Sequence, residues 1–96
     1  MIVHIVMFKF KDEDKEENIL KTKLKLEMLA DKIEELRFLE VGVNINETPR
    51  AFDLSLYSKF NSDDDLKNYA THAEHLKVLD FIKNVTVESK VVDYEL

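Results

Sequence analysis

Apolar side chains along this 96-residue chain recur in two rhythms, one of period two and one of period three to four. Residues Met1 to Phe10 are rich in β-branched and aromatic side chains and read as a strand. Alternation separates Val3, Ile5 and Met7 from His4, Val6, Phe8 and Phe10, and both sets are apolar. A strand with one wet face alternates apolar with polar, so this one is expected to be covered on both sides. Past the acidic stretch Lys11–Asn18, Ile19, Leu26, Leu29, Ala30, Ile33 and Leu36 recur at helical spacing and predict an amphipathic helix over Glu16–Leu36. A second strand is expected over Phe38–Asn44, with Leu39, Val41 and Val43 on one face, then a loop at Asn46–Arg50. Phe52, Leu54, Leu56, Ser58 and Phe60 alternate with Asp53, Ser55, Tyr57 and Lys59, which is a third strand. Ser62 ahead of Asp63, Asp64 and Asp65 is an N-cap followed by acid in the first turn. The helix it opens carries Leu66, Tyr69 and Ala70 inward. A second helical piece carries Leu76, Leu79 and Ile82 and ends near Asn84, and Thr86–Tyr94 alternates as a last strand.

Strand, helix, strand, strand, helix in two pieces, strand is the ferredoxin-like α+β plan: a four-stranded antiparallel sheet with the helices on one face. One domain over residues 1–96 accommodates it. Helices on one side leave the other face bare, and that face is expected to hold Val3, Ile5, Met7, Val41, Val43 and Val92. Exposed together they exceed the apolar patch a soluble monomer tolerates. Burying about six such side chains is worth on the order of 10 kcal/mol before association costs. A homodimer packed sheet to sheet is therefore expected, with these residues at the interface.

Composition narrows the partners. The chain has 20 acidic against 14 basic residues, a net charge of -6, and no Lys/Arg stripe, so it repels phosphate backbones and nucleic acid is excluded as a partner. No cysteine is present, which removes disulfides, a thiol nucleophile and thiolate metal sites. The apolar start, Ile2–Phe8, is too short for a membrane span or a signal-peptide core, and a soluble cytoplasmic protein with no membrane partner is expected. One Gly and one Pro among 96 residues fit long regular elements.

Chemistry concentrates in three histidines and a tyrosine. Tyr69, His72 and His75 stand at successive i, i+3 positions on the helical side that faces the sheet, where His4 faces them from the first strand. Polar groups converging in an apolar surround are the usual look of a small-molecule site. The expected pocket lies between sheet and helices and takes a small apolar or aromatic molecule. A buried His bonded to a carbonyl, and a Tyr packed in a core, are the plainer readings of the same residues. Imidazoles plus Asp93 would suit zinc by donor type, but an i, i+3 pair recurs by chance, and neither metal nor cofactor is expected.

Four stretches carry a resemblance. Residues 2–11 (Ile-Val-His-Ile-Val-Met-Phe-Lys-Phe-Lys), 40–44 (Glu-Val-Gly-Val-Asn), the Asp-Leu-Lys-Asn-Tyr and His-Ala-Glu-His runs within 65–75, and Val-Val-Asp-Tyr at 91–94 resemble the stress-responsive A/B barrel (Dabb) domain from end to end. That resemblance implies a ferredoxin-like subunit and a dimeric α+β barrel. It says less of activity: a plant member performs an aldol-type cyclisation of a polyketide without a cofactor, using a Tyr–His pair. Those catalytic roles fall on Tyr69 and His75, with His4, His72 and Asp93 at further polar positions and Val6, Phe8, Leu54, Leu56, Leu79 and Val91 around them as pocket residues. Alternatives to simple ligand binding are thus a lyase or cyclase reaction, or a non-enzymatic stress-protection dimer. Two departures stand out. The family's proline between the histidines is Ala73 here, which would let the two helical pieces run together, and Leu54 replaces a histidine of the cyclase.

Overall fold

A computed structural model describes residues 1–96. The chain runs β1 (Ile2–Phe10), α1 (Lys15–Lys32), β2 (Phe38–Val43), β3 (Leu54–Phe60), α2 (Asp63–Thr71), α3 (Ala73–Val85) and β4 (Thr86–Glu95). The strands form one antiparallel sheet in the order β2-β3-β1-β4, so β1 is bonded along both edges. The α+β, ferredoxin-like plan expected from the pattern is present.

The core lies between the sheet and the helices. Phe8, Phe10, Leu54, Leu56 and Phe60 point up from the sheet against Leu26, Leu29 and Ile33 from the first helical segment, Leu66 and Tyr69 from α2, and Ile82 from α3. Ser62 caps α2 as its sequence suggests, its hydroxyl accepting from the Asp65 N–H at 3.1 Å. The first helix stops at Lys32, four residues earlier than its apolar spacing implies. Ile33 is already extended, yet it and Leu36 remain buried in the connection to β2, so the spacing outlives the helix. Thr22, fully buried on the same stripe, is a core position that a hydrophobic count passes over.

Register corrects two interface assignments. Val41 stands opposite Leu56 and Val43 opposite Leu54. Residues directly opposite in an antiparallel pair share a face, and Leu54 and Leu56 are buried under the helices. Val41 and Val43 therefore belong to the helix side, and Val41 is part of the core. An alternating strand turns its apolar set toward its own core, which is the simpler phase for β2. Val3 does lie on the open face, but it is 0% exposed within the single chain, set between Lys59 and Tyr94 in the ladder, and has no surface left for a partner. The face actually left open carries Ile5, Met7, Phe38, Gly42, Val92 and Tyr94, with Lys59 lying over the Phe38 and Tyr57 rings.

The β2–β3 connection is fastened to β1 through Asp53. Its N–H donates to the Phe8 carbonyl at 2.8 Å, its carboxylate accepts from the Phe10 N–H at 2.8 Å, and Lys15 sits 3.4 Å from the other oxygen. A carboxylate on a largely shielded backbone donor is a strong, charge-assisted bond. Asp53→Ala is expected to lower stability by about 2 kcal/mol, the cost of stranding the Phe10 N–H, measured by urea denaturation; a loss under about 0.5 kcal/mol would show that the tether is incidental.

Candidate functional site

β1, α2, α3 and β4 bring together four of the residues singled out from the sequence. Tyr69 sits on the inner side of α2, 1% exposed, with its ring 5.0 Å from Phe60 and 6.3 Å from the His4 imidazole. His75, half-buried in the first turns of α3, packs its ring 4.4 Å from that of Tyr69. His4 projects from β1 beneath them, and its ring Nδ1 meets the Asp93 carboxylate of the neighbouring strand at 2.5 Å. That contact is built by register, since His4 and Asp93 are directly opposite in the β1–β4 ladder. Ser58, buried on β3, adds a donor to the His4 carbonyl at 3.2 Å, a support the sequence reading did not single out.

The partners fix each imidazole's tautomer. A carbonyl only accepts, so the His75 Nδ1, 3.0 Å from the Ala70 oxygen, carries the hydrogen and leaves Nε2 with a free lone pair. His4 Nδ1 donates to a carboxylate in the same way. His72 is the reverse: its Nδ1 accepts from the Glu74 N–H at 3.1 Å and so caps α3. This cap explains why the helical pieces stay separate without the proline. His72 is extended (φ -63°, ψ 137°), and its own ring satisfies a donor that the break exposes. No three His, Asp or Glu side chains are grouped closely enough to hold a metal ion.

Electrostatics hold the pair neutral. Burial pushes the Tyr69 hydroxyl up to about 12, so it is a phenol donor at any physiological pH. Burial lowers His75 below 6.5, and the charges that His4 and His72 can carry push the same way, against the opposing pull of the Ala70 carbonyl. A neutral imidazole with an open Nε2 is a competent proton acceptor near neutrality. Beside it, the Tyr69 Oη is buried and has no hydrogen-bond partner in the chain. Most buried hydroxyls are paired; this one and the Thr22 hydroxyl are the two buried side-chain groups left without a partner.

The apolar surround is tighter than the sequence implied. Phe8, Leu54 and Leu56 are core residues at 6%, 2% and 2% exposure; Phe8 and Leu56 line none of the principal cavities, and Leu54 borders only the groove at the other end of the sheet. Val6 and Leu79 are half-buried, and Val91, on the same sheet face as Val6, is open to solvent because no helix reaches over β4. Leu76, expected inward, is 49% exposed, and α3 packs instead through Val78 and Ile82. None of the four principal cavities is lined by His4, Tyr69, His72 or His75. The largest, about 530 Å³, lies at the other end of the sheet between β1, β2, β3 and the β2–β3 loop.

A ferredoxin-like α+β sheet with one bare face and a Tyr–His cluster under its helices defines the class of protein. The model of the stress responsive A/B barrel domain matches residues 2–96, and the chain belongs to that family. It is 36% identical over 77 residues to an uncharacterised protein of Streptomyces coelicolor, covering 78% of this chain and 79% of that protein. A dimeric, ferredoxin-like protein of unknown function from Bacteroides fragilis superposes with a TM-score of 0.90 at 36% identity, over 99% of this chain and 95% of that one. A hydroxynitrile lyase from Passiflora edulis shares the fold, with a TM-score of 0.86 at 18% identity, over 97% of this chain and 90% of that one. No helix is long and apolar enough to cross a membrane.

Two measurements check the site. In a pH titration followed by NMR, the His75 ring is expected to titrate below 6.5. Because its folded value is the lower one, the stability it lends is complete above 6.5 and drains away as pH falls toward the folded value; a midpoint at or above 6.5 contradicts the desolvated geometry. Tyr69→Phe removes a buried hydroxyl that has no partner and is expected to raise stability by about 1 kcal/mol. A loss of that size in urea denaturation would mean that the hydroxyl is satisfied.

Proposed function

We propose that the protein is a homodimer in which each subunit holds a small, largely apolar or aromatic molecule against Tyr69 and His75, with an acceptor oxygen of that molecule on the Tyr69 hydroxyl. The observation that carries this reading is the buried, unpartnered Oη packed on a neutral imidazole. An unpaired polar atom costs stability, and one kept beside a neutral imidazole is accounted for by an external partner. Val6 and Leu79, both half-buried, supply apolar surface beside Tyr69 and His75. The His4–Asp93 pair holds the floor beneath Tyr69, and Asp93 keeps the His4 Nδ1 hydrogen turned away from it. Absence of a lysine or arginine from this cluster favours a neutral ligand over an anion. Dimerisation is supported by the open sheet face and by the dimeric Bacteroides relative, whose sequence is 36% identical.

A catalytic reading is favoured by one feature, the free Nε2 of His75. With the base neutral and a phenol beside it, proton abstraction from an acidic C–H or O–H next to a carbonyl could be matched by hydrogen bonding to the developing oxyanion. That is lyase or aldol-type chemistry, and it needs no cofactor.

Binding is tested by thermal shift with a panel of neutral aromatic ketones, phenols and β-dicarbonyls. At least one is expected to raise the wild-type Tm, and the shift should vanish in Tyr69→Phe and His75→Ala, although Tyr69→Phe alone is the more stable protein. Shifts of equal size in wild type and Tyr69→Phe, or none across the panel, overturn the assignment. Turnover of a bound compound that disappears in both variants selects the lyase; binding without turnover selects the carrier.

A further inference from the structure

Tyr69 and His75 ride on different helices, and a single residue joins the two. α2 ends at Thr71 and α3 begins at Ala73, which leaves His72 as the whole of the connection. It closes both helix ends. Its N–H donates to the Tyr69 carbonyl at 3.1 Å, its carbonyl accepts from the Leu76 N–H at 3.0 Å, and its ring Nδ1 accepts from the Glu74 N–H at 3.1 Å. Proline at the first helical position would set the backbone angle there without help from a side chain. Ala73 occupies that position and sets nothing, so the break is held by hydrogen bonds. Only one of the three made by His72 uses an atom that takes up a proton.

Ser, Thr, Asp and Asn are the usual N-caps, and they cap through oxygen. An imidazole nitrogen caps only while it keeps its lone pair. Protonation puts a hydrogen on Nδ1 facing the Glu74 N–H, and a bond becomes a meeting of two donors. It also sets a positive charge at the N-terminus of a helix of 13 residues, where the macrodipole opposes it. The groups packed around the junction are already engaged. Glu74 of α3 is drawn to Lys32 of α1 at 3.7 Å and to Lys77 at 3.6 Å, and Lys67 of α2 lies 3.1 Å from Asp63. The Lys67 carbonyl, near the end of α2, accepts from the Thr71 hydroxyl at 3.2 Å. β3, packed against α2, turns Tyr57 and Lys59 to the open face, and Asp93 of β4 is bound to His4 of β1. His4 and His75 become cations when protonated, and a charge on His72 pushes the His75 ring lower.

We propose that His72 positions His75 and does so only while its own ring is neutral, which makes the α2–α3 junction a pH-sensitive hinge of the Tyr69–His75 site. This rests on the reading given above for its use, and on the ring cap for its operation. With the ring neutral, the first turn of α3 is closed and the His75 Nδ1 reaches across the break to the Ala70 carbonyl at 3.0 Å. With the ring charged, that turn frays, the bridge loosens, and the Tyr69 and His75 rings, 4.4 Å apart in the closed form, separate. The geometry is therefore complete at higher pH and is lost as pH falls through the His72 titration, within the span of about pH 8 to 5 in which histidine ordinarily changes charge.

The experiment is NMR on the free, full-length protein over that span, comparing wild type with His72→Asn and His72→Ala. Ring signals report the titration of each histidine, and Glu74 amide exchange is taken relative to an unstructured peptide at the same pH. In wild type the Glu74 protection should fall roughly tenfold or more in step with the His72 ring, and the nuclear Overhauser contacts between the Tyr69 and His75 rings should weaken with it. Asparagine places an oxygen where the ring nitrogen stands and does not titrate, so His72→Asn should keep the Glu74 protection throughout. His72→Ala should lack it even at the highest pH. Rescue by asparagine, together with the pH profile, separates a positioning cap from mere bulk at position 72. Wild-type protection that ignores the His72 titration, or that His72→Asn loses at the same pH, overturns the inference. No ligand enters these measurements, so an unresponsive compound panel strikes the proposed function without touching the hinge.

Discussion

A strand that is apolar on both sides and hydrogen-bonded along both edges organises this molecule. β1 is the one element that touches every functional feature: its ladder to β4 sets His4 on Asp93, its ladder to β3 carries the Ser58 support, and its end receives the Asp53 tether. Such a strand cannot be left uncovered on either face, because water would then meet a continuous row of apolar side chains. Helices satisfy one face. Part of the other is satisfied within the chain, where Lys59 and Tyr94 flank Val3 and aromatic rings gather around Lys59. What remains open is smaller and lies toward the β2–β3 loop and the outer strand, and that is where a partner gains most.

Element order was legible because each element has a strong and different period. The alternation in Leu54–Phe60 and the cap at Ser62 correspond to structure nearly residue for residue. Boundaries failed where burial continues after the backbone has changed, as at Ile33 and Leu36. The phase of β2 was not readable from β2 itself, since six residues with apolar positions at every second place fit either face until a neighbour sets the register. Val3 was misjudged for a related reason: sequence tells which face a side chain is on, whereas cover depends on which residues the ladder places beside it.

The candidate site was legible as a composition and not as a cavity. Tyr69, His75, His4 and Asp93 do converge; strand and helix spacing pointed weakly to the first three, and Asp93 entered only as a zinc-type donor and with the family resemblance. The exact use of each ring was hidden, because a tautomer follows from one hydrogen-bond partner. His72 is the clearest case, its ring turned from pocket chemistry to capping α3, a role that substitutes for the family's proline at the next position. The supposed apolar lining at Phe8, Leu54 and Leu56 proved to be packed core, since interior side chains close on one another unless something holds them apart.

Two local costs in this structure have opposite orientations and a common logic. Tyr69 carries a buried hydroxyl without a partner, and Gly42 carries a strand position without a side chain; removing either cost by substitution should leave the isolated subunit no worse. Under the function proposed above, a ligand oxygen accounts for the first of these costs. They sit on opposite faces of one sheet, joined through β1, where His4 points toward the helices and Met7 toward the open side.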